Sequence, residues 1–254
     1  MSITLAGRNI LITGASSGLG AHFAYITATA GANVALCARR KEKLNALCKD
    51  IEKLGVKACS IAMDVSDENS VVDGISKVVK QLGSVDSVIA NAGINSEGMA
   101  LSVDAQAFNK VLSVNLTGTF LTAREGAKHM INAGSREREH GRIVLISSIT
   151  ARKVSAGIAA YSASKAGVLQ MGKVMAREWA NKGISVNIVC PGYIETDLNR
   201  DWFETDGGKK QIQKFPRRRL LQQTDMDPTI LLLCSDQAKG ITGSVFTVDD
   251  GQSL

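Results

Sequence analysis

Short apolar runs alternate with longer amphipathic stretches along this chain. Asn9 to Thr13 (NILIT) reads as a buried strand, and Leu19 to Ala30 as a helix closed by Gly31. Asn33 to Cys37 is a second strand. Lys41 to Leu54 is helical, with Leu44, Leu47, Cys48, Ile51 and Leu54 on one stripe. Strands over Lys57 to Ala62 and Ser87 to Ala90 flank a helix from Glu68 to Leu82. A long, bent helix is predicted over Ala105 to Ile131, a strand over Arg142 to Ile146, and a second long helix over Ala156 to Asn181. Ser185 to Val189, a short helix over Asp227 to Cys234, and Ser244 to Val248 complete the set. Strands that are apolar throughout are covered on both faces. Separated by helices, they predict a doubly wound α/β fold of the Rossmann type, a seven-stranded parallel sheet built from right-handed βαβ units. The polar, charged, Gly-containing segment from Arg200 to Gln223 breaks the alternation and reads as a mobile loop or lid, part of a substrate lid near 193–223.

Composition refines this picture. The 254 residues carry 44% hydrophobic side chains and only three prolines, at 191, 216 and 228, with no Pro- or Ser-rich linker. One domain spanning 1–254 is the expectation. The net charge of +6 comes from scattered Lys and Arg residues, and the one tight cluster is Arg217-Arg218-Arg219. Anionic cofactors or substrates explain that excess better than nucleic acid. The five cysteines are odd in number, form no CxxC pair and sit in apolar runs. They read as buried thiols of a reducing compartment. The N-terminus lacks a basic stretch followed by a long apolar core, and no apolar run reaches membrane-spanning length, so a soluble, cytoplasmic protein is expected. His22, His129 and His140 show no ligand spacing, and no metal is called for; His140, in a charged loop, is expected to be exposed.

Two segments carry chemistry. The first strand runs into Thr13-Gly14-Ala15-Ser16-Ser17-Gly18-Leu19-Gly20 with a helix behind it. Gly14 permits a tight turn, Gly18 lets backbone approach a pyrophosphate, and Gly20 lets the helix pack on the sheet while its N-terminus stabilises the anion. A dinucleotide site of this kind expects an acid at the end of strand two. Ala38, Arg39 and Arg40 stand there instead, and arginine suits a 2′-phosphate, so NADPH is predicted over NADH. The second segment is Tyr161-Ser162-Ala163-Ser164-Lys165. Four residues apart on a helix, the phenol and the ammonium share a face. The positive neighbour is expected to pull the phenol pKa down toward the working range, where it can give a proton to a carbonyl oxygen or take one from an alcohol.

Together these motifs resemble the short-chain dehydrogenase/reductases, in their single-domain branch of about this length. The order is TGASSGLG at 13–20, Asp64-Val65, Asn91-Ala92-Gly93, Asn115, Ser148, Tyr161 to Lys165, and Pro191-Gly192. Ala90 stands where the family commonly has a second asparagine. The resemblance implies that Asp64 and Val65 hold the adenine and that Asn91, Ala92 and Gly93 pass under the nucleotide. It places Pro191, Gly192, Ile194 and Thr196 on the nicotinamide side. Ser148, thirteen residues before Tyr161, would bind the substrate oxygen, in preference to Ser147. Asn115 would bend its helix and hold a water linking to Lys165. Lys165 would keep the phenol acidic and hold the nicotinamide ribose. A homotetramer is the family expectation.

The implied reaction is NADPH-dependent reduction of a small-molecule ketone to a secondary alcohol. Tyr193-Ile194-Glu195-Thr196-Asp197-Leu198 is similar to the bacterial 3-oxoacyl-carrier-protein reductases, as are Arg177-Glu178 and Lys182-Gly183. The mixed charges of Ser135 to His140 and the C-terminus Val248-Asp249-Asp250-Gly251-Gln252-Ser253-Leu254 depart from that subgroup. A broad carbonyl reductase is therefore favoured. A carrier-protein or acyl-CoA reductase, or an NAD-dependent alcohol dehydrogenase, is the alternative. Trp202 and Phe203 are candidates for an aromatic wall or for packing.

Overall fold

The structure is a computed structural model that describes residues 3–195 and 200–254. The first half alternates β1 (Asn9–Thr13), α1 (Gly18–Thr29), β2 (Asn33–Ala38), α2 (Lys41–Glu52), β3 (Ala58–Ala62), α3 (Glu68–Leu82) and β4 (Ser87–Ala90). The second half contains α4 (Ala105–Leu112), α5 (Gly118–Asn132), α6 (Ser135–Arg138), β5 (Gly141–Ile146), α7 (Ala159–Trp179) and β6 (Ile184–Pro191). It ends with α8 (Arg200–Glu204), α9 (Asp206–Gln213), α10 (Asp227–Cys234) and β7 (Val245–Val248). All seven strands pair in parallel, in the order β3-β2-β1-β4-β5-β6-β7. Strands β1, β4, β5 and β6 are buried at every position, as continuous apolar runs require. Ile10 and Ile12 face one core layer with Phe23, Leu36 and Ile230, while Leu11 and Val88 face the other with Ile75, Leu145 and Val168. The sequence order reverses between β1 and β4, and ligands of open parallel sheets bind beyond the strand ends at that switch point.

Two local features matter for the site. The bend expected in the long helix at Asn115 takes the form of a π turn over Ser113–Thr117, where Gly118 N–H donates to Ser113 O. The turn leaves Asn115 at 0% exposure. The predicted loop after β6 is instead folded into α8 and α9, with the Thr205 hydroxyl capping the second of these helices. Phe203 and Phe215 from this segment are buried. Thr196, Asp197 and Leu198 lie outside the described residues. All five cysteines are buried and free. No described helix is long and apolar enough to cross a membrane. His140 is not the exposed loop residue expected: its Nε2 lies 3.1 Å from Asp86, in a cluster with Arg8 and Asp236 at the opposite end of the sheet from the cleft.

Candidate active site

A cleft of about 630 Å³ opens at the carboxyl ends of β1, β4, β5 and β6. One end is the glycine turn. Gly18 has φ +53, with open space where a Cβ would stand, so backbone faces the cleft there. At Gly20 a Cβ would come within 2.4 Å of Gly14 O, so only glycine lets the helix start so close to the strand. Asn91 fixes the neighbouring strand end: its Nδ2 donates to Thr13 O at 3.0 Å, and its own N–H donates to Thr13 Oγ1. The turn and Asn91-Ala92-Gly93 thus form one backbone-lined floor suited to a pyrophosphate.

Of the two arginines expected to read a 2′-phosphate, Arg40 reaches the turn. Its guanidinium donates to Ser16 Oγ and Ser17 Oγ, each at 2.8 Å. Arg39 is exposed and close enough to Asp64 for its charge to help hold that carboxyl below its usual range. The Ser66 hydroxyl is the larger cause, donating to Asp64 Oδ1 at 2.6 Å. Val65 is buried against Gly118, at the end of the π turn.

At the other end three segments bring the candidate proton-handling residues together. Ser148 follows β5, Tyr161 and Lys165 lie on α7, and Asn115 lies in the π turn. Asn115 Oδ1 accepts from Ile94 N at 2.8 Å, while its Nδ2 donates to Ile94 O and to Ser164 Oγ. A Cβ on Gly93 would lie 3.4 Å from Asn115 Oδ1 and 3.6 Å from Lys165 Nζ, so these groups converge beneath the loop after β4. Ser147 and Ser148 are separated by their roles. Both line the cleft, but Ser147 Oγ is engaged by Lys165 O, to which it donates at 2.8 Å, whereas Ser148 lowers the Tyr161 pKa through a hydrogen bond.

The direction of the Tyr161 shift differs from expectation. Burial raises its pKa above the usual value of 10, the Ser148 hydroxyl offsets part of that, and Tyr193 adds to the rise. The reason is where the lysine sits. Lys165 Nζ lies over the Tyr161 ring, 5.6 Å from its centroid, and donates to Ile146 O at 2.8 Å rather than to the phenol oxygen. Lys165 is itself the more perturbed group: burial pulls its pKa from 10.5 down to about 8.

The sequence reading missed Tyr193 as a wall of the cleft. Its ring stacks on Phe215 at 5.5 Å and meets Phe203 edge-on at 5.8 Å. Trp202 and Phe203 do line the cleft, with Met99, Ile149 and Ile158. The clue available was position: Tyr193 directly follows Pro191-Gly192, where β6 ends at the cleft. Glu97 and Lys165 are the charged side chains lining the cleft among the described residues.

A parallel doubly wound sheet, a glycine turn at its switch point and a Ser–Tyr–Lys–Asn cluster define a nucleotide-dependent oxidoreductase. The chain belongs to the short-chain dehydrogenase family, whose model matches residues 8–207. It is 36% identical to the 3-oxoacyl-[acyl-carrier-protein] reductase FabG of Staphylococcus aureus (strain Mu50), over 97% of this chain and 98% of that one. It is 37% identical to an acetoacetyl-CoA reductase of Shinella zoogloeoides, over 96% and 98%. Among solved structures it resembles a gluconate 5-dehydrogenase from Burkholderia cenocepacia J2315, in complex with NADP and tartrate. The TM-score there is 0.92, with 30% identity over 98% of this chain and 96% of that one. Members of this family are enzymes that use a nicotinamide nucleotide and act on CH–OH or C=O groups.

Proposed function

We propose that the protein is an NADPH-dependent ketone reductase giving a secondary alcohol. The observation that carries this reading is the convergence of Ser148, Tyr161, Lys165 and Asn115 on a cleft whose far end is the glycine turn. The nicotinamide nucleotide, when bound, supplies the hydride. Gly14, Ser17, Gly18, Leu19 and Gly20 would hold its pyrophosphate, and Arg40, with Ser16 and Arg39, its 2′-phosphate. Asp64 and Val65 would take the adenine, with Asn91, Ala92 and Gly93 beneath. Pro191, Gly192, Ile194 and Thr196 would flank the nicotinamide.

The acid–base step is assigned to the chain's own residues. Tyr161 gives its phenolic proton to the substrate oxygen as negative charge develops there. A raised pKa keeps that phenol protonated at neutral pH, which is the form that reduction needs. Ser148 Oγ–H donates to the same oxygen. Lys165, with its pKa near 8, is a proton source beside Tyr161 close to neutral pH, although its ammonium is aimed at Ile146 O and does not hydrogen-bond the phenol oxygen directly. Asn115 holds Ile94 and the loop above Lys165 in place.

Nucleotide choice is supported by Arg40 on the serine pair and by the NADP complex of a structural neighbour. A second reading, reduction of a 3-oxoacyl thioester, is supported by the names of the two relatives. The aromatic lining and the absence of a free cation among the described lining residues support an uncharged ketone instead. The test is a panel of a cyclic ketone, an aryl ketone and an acyl thioester, followed by nucleotide absorbance with NADPH and NADH. Arg40→Ala should raise the KM for NADPH about tenfold and leave that for NADH within about twofold, the loss expected for charge-assisted contacts to a phosphate. A parent protein that prefers NADH contradicts the nucleotide assignment.

A further inference from the structure

The C-terminal segment after β7, which departs from the pattern the rest of the sequence follows, packs behind the cleft wall against Gly192 and Tyr193. Gln252 is 1% exposed, although it lies two residues from the chain's last position. Its side-chain Oε1 accepts from Tyr193 N at 2.6 Å. Its Nε2 lies 3.4 Å from both Tyr193 O and Arg219 O. The approach is close enough that a Cβ on Gly192 would meet Gln252 Oε1 at 2.6 Å and Asp249 Cα at 2.9 Å. The turn that delivers this side chain is itself held. Asp249 accepts from Gly251 N, Ser253 N and the Ser253 hydroxyl, and the guanidinium groups of Arg217 and Arg219 both pair with Asp250. Lys153, in the segment that follows Ser148, donates to the Gln252 carbonyl. One short turn therefore ties together the segment after Ser148, the Tyr193 backbone and the end of the α9 segment.

What it holds is Tyr193. With its backbone N–H gripped by Gln252 and its carbonyl accepting from Leu221 N at 3.0 Å, the residue has little freedom to slide along the strand direction. Its ring then meets Phe203 and Phe215 in a fixed packing and faces the same cleft as Tyr161. We propose that Gln252 is a positioning residue for the substrate: by fixing the backbone of Tyr193 it sets the aromatic wall against which the non-reacting part of a ketone lies. Tyr193 is the specificity-determining residue and Gln252 acts through it. This rests on the ketone-reductase reading above.

The test compares an aryl ketone, acetophenone, with a small aliphatic ketone, butanone, at saturating NADPH. The readout is the ratio of their kcat/KM values, in which effects on cofactor binding and on folded fraction cancel. Gln252→Met keeps bulk but removes the acceptor, and should lower the aryl-to-aliphatic ratio about fivefold, the factor for one ordering hydrogen bond. Gln252→Glu keeps the acceptor for Tyr193 N and should hold the ratio within about twofold of the parent. Tyr193→Ala should lower the ratio by about tenfold, through loss of the ring. In the double variant the ratio should fall no further than in Tyr193→Ala alone, because both changes act on one wall.

Equal losses for both ketones in Gln252→Met would assign Gln252 a merely structural role and overturn the proposal. So would additive changes of the ratio in the double variant. If the Met variant does not fold, an unchanged ratio in Tyr193→Ala overturns it and a lowered ratio supports it. A parent protein that reduces neither ketone with either nucleotide refutes the ketone-reductase reading itself, and this inference with it.

Discussion

Lys165→Met should abolish turnover and at the same time remove a pH-dependent cost to folding. Lys165 is 3% exposed, and burial lowers its pKa from 10.5 to about 8. The difference of about 2.5 units corresponds to about 3 kcal/mol against holding the ammonium in the fold, at about 1.36 kcal/mol per unit. Because the folded pKa lies below the unfolded one, the unfolded chain holds the proton more tightly between pH 8 and 10.5, and stability rises with pH across that window. Below pH 8 the cost is fully present. The parent curve alone does not isolate this group. Burial raises the pKa of all five cysteine thiols and of Tyr161, and these groups pull stability down as pH rises through the range where their unfolded forms ionise. Those terms are common to parent and variant except that of Cys190, whose thiol pKa the Lys165 charge lowers, so the difference curve reports Lys165 together with its coupling to Cys190. The assay is urea unfolding of both nucleotide-free proteins at intervals from pH 7 to 10. The parent should gain about 2 kcal/mol relative to Lys165→Met over that range. A difference curve flat to within about 0.5 kcal/mol would refute the reasoning, because an ammonium that bears no burial cost cannot have its pKa near 8.

Two further changes test the scaffold around the cluster. Asn115→Ala leaves Ile94 N–H and C=O without their buried partner, and should cost about 2–4 kcal/mol in urea unfolding while lowering kcat more than it raises the KM for NADPH. Gly20→Ala forces a Cβ against Gly14 O, and should weaken nucleotide binding at least about tenfold by fluorescence titration, because the whole turn must shift.

The core of the fold was legible because buried parallel strands are written as uninterrupted apolar runs. The bounds of β1, β4, α3 and α10 coincide with the sequence expectation. Where the reading departed, a tertiary contact outweighed the local pattern. The bend at Asn115 was expected, but its form, a π turn with Ile94 as a partner 21 residues away, has no sequence mark beyond an asparagine in a helix. Arg200 to Gln213 is polar enough to read as loop, yet Phe203 and Phe215 bury beside Tyr193 and two short helices form on that contact. The candidate cluster was found by spacing, but its electrostatics were not. The i, i+4 rule places Lys165 beside Tyr161 without saying that Ile146 O, from β5, draws the ammonium away from the phenol oxygen. The role of Gln252 was invisible for the same reason: its partner Tyr193 is 59 residues earlier in the chain.

The central claim is that Tyr161 gives the proton in an NADPH-dependent ketone reduction. The most direct measurement is NADPH consumption with acetophenone at pH 7, for the parent and for Tyr161→Phe, beside a binding titration of NADPH to each. The parent should turn over; the variant should bind NADPH within about threefold of the parent and reduce the ketone at least about a thousandfold more slowly, as loss of a positioned general acid predicts. A variant that binds NADPH and reduces the ketone at a near-parental rate contradicts the assignment.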